Sequence, residues 1–545
     1  MPPTRSPILR GSARFSVLTE NCIRLEYSTD QEFVDSATQF ARQRPHLIAQ
    51  SLTPLAEFDD NGQELVVKSG RLRVVYRDDG GAFHTGNISA SFRDLGGDAE
   101  YSWDPSRNSD GNLGGVATSL DAVSRPVLAD GLLSRSGFFR FDDSGTAILD
   151  DSADGEPWVR ARASGQLALD WYLFDYGSDF AAALSSLRAV SGPVPLPPKF
   201  ALGSWYSGAW PQGSQDYEET VSEYRRHGLP LDVVSFRKHW RRGSTAWSWN
   251  RELLPDVEQL LKYLREEGVR VAISSVGPQE DAHAAFRAAV TEAGRRHDEA
   301  PPLDAASRKH MSALFEHVHR PLEEQGVDMW WLDGHDQDLG CSMPALRVSL
   351  WLHELYFRHC ASRGSRGALC SRWAGWGDHI HPVHCFGDVG TGWQGLANAV
   401  AAASTAGSAG CCFLSHDLGQ CHAPKGDECY ARWAQFGSMS AALRASLWRG
   451  APGATPSLAV SCQLRHALMP YIYSMSFKCH EDYGKTHTPQ GSGTLCSRVM
   501  SARLQWYPTT SSSRICSTYS STTVESCASA SSAQARAGFG ASPNS

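Results

Sequence analysis

Gly326-Val327-Asp328-Met329-Trp330-Trp331-Leu332-Asp333-Gly334 is a short apolar run that stops at a carboxylate beside a glycine. It reads as a strand ending in an Asp, and the same rhythm recurs on both sides of it. Candidate strands occupy residues 200–205, 231–236, 269–273, 328–333, 367–372, 382–388 and 410–417. Amphipathic segments such as 256–267 and 302–324 lie between them. Strand–helix alternation of this kind predicts an α/β fold with a parallel sheet closed into a (β/α)8 TIM barrel. A doubly wound open sheet is the second choice, because no Gly-x-Gly-x-x-Gly or Walker loop follows any strand.

Upstream the pattern changes. From Ala13 to about Asp175, short alternating runs such as Phe15-Ser16-Val17-Leu18-Thr19, Ile23-Arg24-Leu25-Glu26-Tyr27 and Leu72-Arg73-Val74-Val75-Tyr76 predict an N-terminal β-sandwich over residues 1–192. Asp59-Asp60-Asn61-Gly62, Asp78-Asp79-Gly80-Gly81 and Asp142-Asp143-Ser144-Gly145 separate these runs with residues that tolerate the positive φ of hairpin turns. The cluster Pro193-Val194-Pro195-Leu196-Pro197-Pro198 breaks regular structure and reads as the link into the barrel, assigned to 193–485. Residues 486–545 are rich in Ser, Thr, Ala and Gly, and a segment so poor in apolar surface is expected to be disordered.

The 545 residues exceed one ordinary core. With 51 Lys+Arg against 59 Asp+Glu, a formal net charge of −8 and no long single-sign runs, nothing calls for a nucleic-acid partner. No stretch approaches the roughly 18 apolar residues that span a bilayer, and Met1 to Arg10 holds no apolar leader, so a cytoplasmic protein without a membrane partner is expected. The 14 Cys fall without the spacing of a disulfide scaffold or zinc ribbon, which favours free thiols.

Two carboxylates invite a chemical reading. Asp333 and Asp388, in Cys385-Phe386-Gly387-Asp388-Val389-Gly390, each end a candidate strand beside a Gly. Barrel chemistry sits at that end of the strands. Two Asp on one rim could reach the roughly 5 to 5.5 Å of a retaining glycosidase pair, with Trp331 as an apolar wall that helps separate their pKa values. The competing reading, that each Asp caps the next helix, is the better one for any lone Asp.

The surrounding motifs weigh against the capping reading. From about Arg14 to Glu481 the chain resembles glycoside hydrolase family 31, the α-glucosidase and α-xylosidase family. The segments Arg14-Phe15-Ser16-Val17-Leu18-Thr19, Asn112-Leu113-Gly114-Gly115 and Asp170-Trp171-Tyr172 look like the family's mutarotase-like sandwich. The barrel pieces follow in the family's order: Trp330-Trp331-Leu332-Asp333, Ser371-Arg372-Trp373, Phe386-Gly387-Asp388 with Trp393, and Ser415-His416-Asp417. The resemblance implies that Asp333 is the nucleophile and Asp388 the acid/base, that Arg372, Asp417 and His416 contact sugar hydroxyls, and that Trp331 packs against the ring. It implies a carbohydrate substrate and neither a cofactor nor a metal. His416 reads equally well as a structural histidine.

The likeness breaks in places. Phe236-Arg237-Lys238-His239-Trp240 puts Arg237 where the family has a sugar-gripping Asp, and Ser446 follows Leu443-Arg444-Ala445 where the family has His. Residues 276–280 match only loosely, and the tail from 486 stands where distal β-domains usually begin. A catalytically impaired carbohydrate-binding relative is therefore the alternative. An unrelated metal-dependent barrel would need a ligand cluster at the strand ends. The one dense His group, His379-Ile380-His381 with His384, fits no common ligand spacing and reads as loop and surface histidines.

Overall fold

The structure, a computed structural model, describes residues 4–49, 54–93, 99–107, 110–117, 120, 127–150, 157–162, 168–208, 211–241, 247–275, 284–291, 303–332, 340–364, 369–387, 389–390, 392–418, 427–445 and 454–482. Two antiparallel sheets come first. Strands β1 (Ile8–Arg10), β2 (Ala13–Thr19) and β3 (Cys22–Ser28) open one sheet. A meander of β4 (Glu57–Asp60), β5 (Leu65–Ser69), β6 (Leu72–Tyr76), β7 (Ile88–Arg93) and β8 (Glu100–Trp103) forms the second. The chain then adds β9 (Phe138–Asp142), makes the hairpin β10 (Ile148–Asp150) and β11 (Trp158–Arg160), and returns through β12 (Ala168–Asp175). The first sheet thus runs β1-β2-β3-β12-β9.

The two sheets enclose a core in which Phe15, Ile23, Leu25, Val67, Val74, Phe92 and Trp171 meet. Strands β2 and β3 are buried almost throughout, because their second face is covered as well. That second face carries charge. Asp170 is 3% exposed and accepts from Arg24 at 2.7 and 2.8 Å and from Arg162 at 3.0 Å, while Arg14 bonds Glu26 at 2.7 and 2.8 Å. Buried charges persist where each is paired and hydrogen-bonded, and this network meets that condition.

The barrel follows, closed and parallel throughout: β13 (Ser204–Ser207), β14 (Val233–Phe236), β15 (Arg270–Ser275), β16 (Met329–Leu332), β17 (Leu369–Arg372), β18 (His384–Cys385), β19 (Leu414–Asp417) and β20 (Leu443–Ala445), with β20 pairing β13. The predicted α/β class, TIM barrel and N-terminal sandwich are all present, with local corrections. Residues 199–202 form a 3-10 turn before β13, and only two residues of 382–388 pair as a strand. The eighth strand, β20, lies outside the candidate strands because three residues are too few to show a period.

Alternation along the strands divides the barrel into two cores. Tyr206, Val234, Phe236, Ile273, Trp330 and Leu332 point outward into the helical layer. Trp205, Val233, Ala272, Met329, Trp331 and Cys385 point inward. The inner cluster is continuous with Phe40, Phe139, Phe141 and Tyr172 of the N-terminal region, and Trp376 lies 5.1 Å from Phe139 and 5.9 Å from Phe141 between ring centroids. Further hydrogen bonds join the parts: Thr405 donates to the Gly115 carbonyl at 2.6 Å, and the Leu120 N–H donates to the Phe386 carbonyl at 3.0 Å. The segment 112–115, read above as a sandwich motif, therefore meets the barrel. Among the described residues no helix is long and apolar enough to cross a membrane. The tail from 486 and the loosely matching 276–280 lie outside the described residues.

Candidate active site

The inward positions at the C-terminal ends of the strands carry several polar groups. Trp331 sits near the top of β16, 2% exposed, and is flanked by two guanidinium groups: Arg444 of β20 lies 3.6 Å from its ring centroid and Arg237, just beyond β14, lies 5.6 Å from it. Both distances are within cation–π range. Arg444 is 1% exposed. The flat indole face suits the planar guanidinium in a way that an ammonium group would not reproduce.

Around this group are hydroxyls. Ser207 on β13, Ser235 on β14 and Ser274 on β15 share the parity of Trp205, Val233 and Ala272 and therefore face inward. Ser207 and Ser235 are direct register partners, and Ser274 pairs with Trp331. All three hydroxyls and the Trp331 indole N–H are buried and have no hydrogen-bond partner among the described residues. A buried polar atom without a partner costs about 1–3 kcal/mol, so four at the inner strand ends suit a site that pairs them with a polar ligand. Arg372 ends β17, half-buried, in register with inward-facing Cys385. The backbone of β19 carries His416 and Asp417, and Asp417 pairs in register with Arg444.

The sequence-derived residues thus divide. Trp331, Arg372 and position 417 take the inward parity at the strand ends, whereas position 416, in register with outward-facing Leu443, takes the outward one. Asp333, Asp388 and Ser446 lie outside the described residues, although Asp333 follows Leu332, the last residue of β16, and Asp388 follows Gly387 in sequence. Sequence reasoning passed over Ser207, Ser235, Ser274 and Arg444 as site residues. The first three could have been found from alternation with Trp205, Val233 and Ala272 once the strands were assigned. Arg444 could not, since three strand residues give no usable period.

One reading is corrected outright. His379, His381 and His384 are not surface histidines: they are 2%, 0% and 1% exposed. The segment is itself the β17–β18 connection, and each ring has a buried partner: His381 meets Asp378 and Glu354, His384 stands near Asp378, and His379 meets the Ser191 hydroxyl and the Gly192 carbonyl, which makes burial affordable. Among the described residues no group of His, Cys, Asp and Glu has the arrangement of a metal site.

A closed eight-stranded parallel barrel with polar groups at its C-terminal mouth, preceded by a two-sheet sandwich, defines the class of barrel proteins whose chemistry is carried by strand-end side chains. The Glycosyl hydrolases family 31 TIM-barrel domain matches residues 194–475, just over half of the chain, and the chain belongs to that family. It is 22% identical over 397 residues to alpha-glucosidase 2 of Bacillus thermoamyloliquefaciens, covering 64% of this chain and 49% of the relative. It is 21% identical over 352 residues to an alpha-xylosidase of Saccharolobus solfataricus, covering 57% and 46%. The chain therefore spans about half the length of these curated relatives. Two solved structures share the fold. The GH31 alpha-xylosidase from a soil metagenome complexed with xylose aligns with a TM-score of 0.64 at 14% identity, over 88% of this chain and 86% of that one. The Flavobacterium johnsoniae GH31 dextranase complexed with glucose aligns at 0.66 and 14% identity, over 89% and 70%.

Proposed function

We propose that the chain is a retaining α-glycosidase acting on α-glucosides or related α-linked sugars. The observation that carries this reading is the set of inward-facing buried hydroxyls, unpaired among the described residues, at the strand ends near Trp331 in a family 31 barrel, whose β16 and β18 lead in sequence to Asp333 and Asp388. Relatives named alpha-glucosidase and alpha-xylosidase support the substrate class.

In this reading the Asp333 carboxylate attacks the anomeric carbon as the bond to the leaving oxygen breaks, and Asp388 gives that oxygen its proton. Water then attacks the glycosyl-enzyme ester while Asp388 takes a proton from it, so two inversions leave the configuration retained. Arg372 and Asp417 hold ring hydroxyls, and a site that bonds them rejects sugars lacking them strongly. Trp331 offers its indole N–H and keeps water from the reacting centre. An activated 2-fluoro α-glycoside should label Asp333, seen as an added glycosyl mass on its peptide. No label, together with no hydrolysis of any α-glycoside, would overturn the proposal.

A second reading is a carbohydrate-binding relative with impaired catalysis, favoured by the Arg237 guanidinium 5.6 Å from the Trp331 ring, where it occupies space at the strand ends. Arg237→Asp separates the two. Under the second reading hydrolysis stays undetectable while sugar binding persists, and hydrolysis that appears or rises counts against it.

A further inference from the structure

Two of the buried histidines corrected above, His381 and His384, form one connected network with His353 and two carboxylates, Asp378 and Glu354. Asp378 is 0% exposed. Its Oδ1 faces the Nδ1 of His353 at 2.9 Å and of His381 at 3.1 Å, and its Oδ2 accepts the Ala374 backbone N–H at 2.7 Å. His384 Nδ1 lies 3.7 Å from the same Oδ2 and 3.5 Å from the Ser371 hydroxyl. The other nitrogen of His381 meets Glu354 at 2.6 Å, and Glu354 in turn pairs with Arg358 on its own helix, Val348–Ser362, and at 2.8 Å with Arg42 of the N-terminal region.

Read from the outside in, the chain of contacts runs Arg42, Glu354, His381, Asp378, and from Asp378 to both flanks of the β17–β18 connection. Ala374 is two residues past Arg372 and His384 is four residues before Asp388. The network also lies outside the barrel wall: Arg372 and Cys385 take the inward parity, and Ser371 and His384 take the outward one. It touches no inward residue named for catalysis, so whatever it does for the reaction it does through the two strand ends.

Burial works to raise the Asp378 carboxyl, but the charge and N–H groups of His353, with His384 and His381, outweigh it and hold the group well below the usual carboxylate range. Burial pulls His384 down to about 4, so its ring is neutral at ordinary pH. A charged acceptor ringed by several donors in a dry interior is a stiff support, since low dielectric strengthens each bond and leaves no water to substitute.

We propose that Asp378 is a positioning residue: by bonding Ala374, His353 and His381 and standing against His384 it sets the separation of the β17 end, which carries Arg372, from the β18 end, which leads in sequence to Asp388. The link through Glu354 to Arg42 makes the N-terminal region part of that support. This rests on the glycosidase reading above, in which Asp388 is the proton donor.

The test uses two substrates on the full chain, an α-glycosyl fluoride, whose leaving group needs no proton, and an unactivated disaccharide, whose leaving oxygen does. A variant that misplaces the acid loses the second reaction more than the first, whereas general loss of folded protein lowers both alike. Asp378→Asn keeps the side chain's shape and removes its charge. It should lower kcat on the disaccharide by about 10–100-fold, the scale seen when supporting partners of a site are removed, with less than about threefold change on the fluoride. Glu354→Gln, one contact further out, should move the ratio in the same direction by a smaller factor, and it supplies the measurement should Asp378→Asn fail to fold. An unchanged disaccharide-to-fluoride ratio in the folded variants overturns the positioning role while leaving the enzyme reading intact. Failure of the parent chain to hydrolyse either substrate overturns the enzyme reading, and the role with it.

Discussion

Replacing Trp331 tests the strand-end site most directly. The side chain is 98% buried by its 2% exposure, and the Arg444 guanidinium stands 3.6 Å from its ring centroid with 1% exposure of its own. Trp331→Leu keeps an apolar group of smaller volume and removes the π face, for a loss of about 2–3 kcal/mol set by lost contact area and the cavity left behind. At roughly 2–4 °C per kcal/mol for a unit of this size, Tm falls by about 4–12 °C. Part of that loss belongs to the pair and not to the ring alone. Arg444→Met retains the aliphatic stem and removes the charge, so the double variant closes a thermodynamic cycle. Because both partners are desolvated, a coupling of about 1–2 kcal/mol is expected, against about 0.5–1 kcal/mol for an exposed pair. The measurement is denaturant unfolding of the parent, the two single variants and the double variant at fixed pH and salt. A coupling within about 0.3 kcal/mol of zero would refute the claim that the stack holds Trp331 in place, since that is the scatter of independent sites.

Other consequences can be checked alongside. Burial favours protonating Asp170, but the charge and hydrogen bonds of Arg24, with Arg44 and Arg162, outweigh it and hold its carboxyl far below the usual range. Its stabilisation is therefore complete above about pH 5, a unit above the unfolded carboxylate pKa of about 4, and fades progressively as pH falls below that. Asp170→Asn should cost about 3–5 kcal/mol near neutrality and flatten the acid side of the stability–pH curve; an unchanged acid slope would refute the assignment. Gly377 has φ +99° and a Cβ there would overlap the Gln39 carbonyl oxygen, so Gly377→Ala should destabilise by more than about 1 kcal/mol. Wild-type stability in that variant would mean that the barrel and the N-terminal segment do not meet there. Burial raises the thiols of Cys22 and Cys411 well above their ordinary value and pushes Cys462 up to about 12. Iodoacetamide at pH 8 should leave these three peptides unlabelled in the native protein and label them in denaturant, and native labelling would contradict their burial.

Much of the architecture was already legible along the chain. Apolar runs such as 328–333 and 231–236, spaced by amphipathic segments, pointed to a parallel sheet covered on both faces, with the closed barrel favoured over a doubly wound open sheet. The Asp- and Gly-rich turns of the N-terminal half pointed to antiparallel sheets in the same way. Resemblance to a family's motif order picked out Trp331, Arg372, His416 and Asp417, which lie on β16, β17 and β19. Sequence determined the strands and turns because they depend on local period and on turn chemistry.

Tertiary structure decided the rest. No periodicity tells that Arg444 will lie against Trp331, since the contact joins β20 to β16 across a closed barrel. Nothing local distinguishes His379 and His381 from exposed loop histidines, because His381 meets Glu354 of a helix, which pairs in turn with Arg42 of the N-terminal region, and His379 meets Ser191 and Gly192. Ser207, Ser235 and Ser274 are ordinary serines until register places them on one inner wall. Burial of a polar group is fixed by what closes over it, and in this chain the closing elements are often more than a hundred residues away, as Arg42 is from Glu354. The strand that carries Trp331 could be read directly from the chain, whereas the charges and hydroxyls around it took their meaning only when the barrel closed.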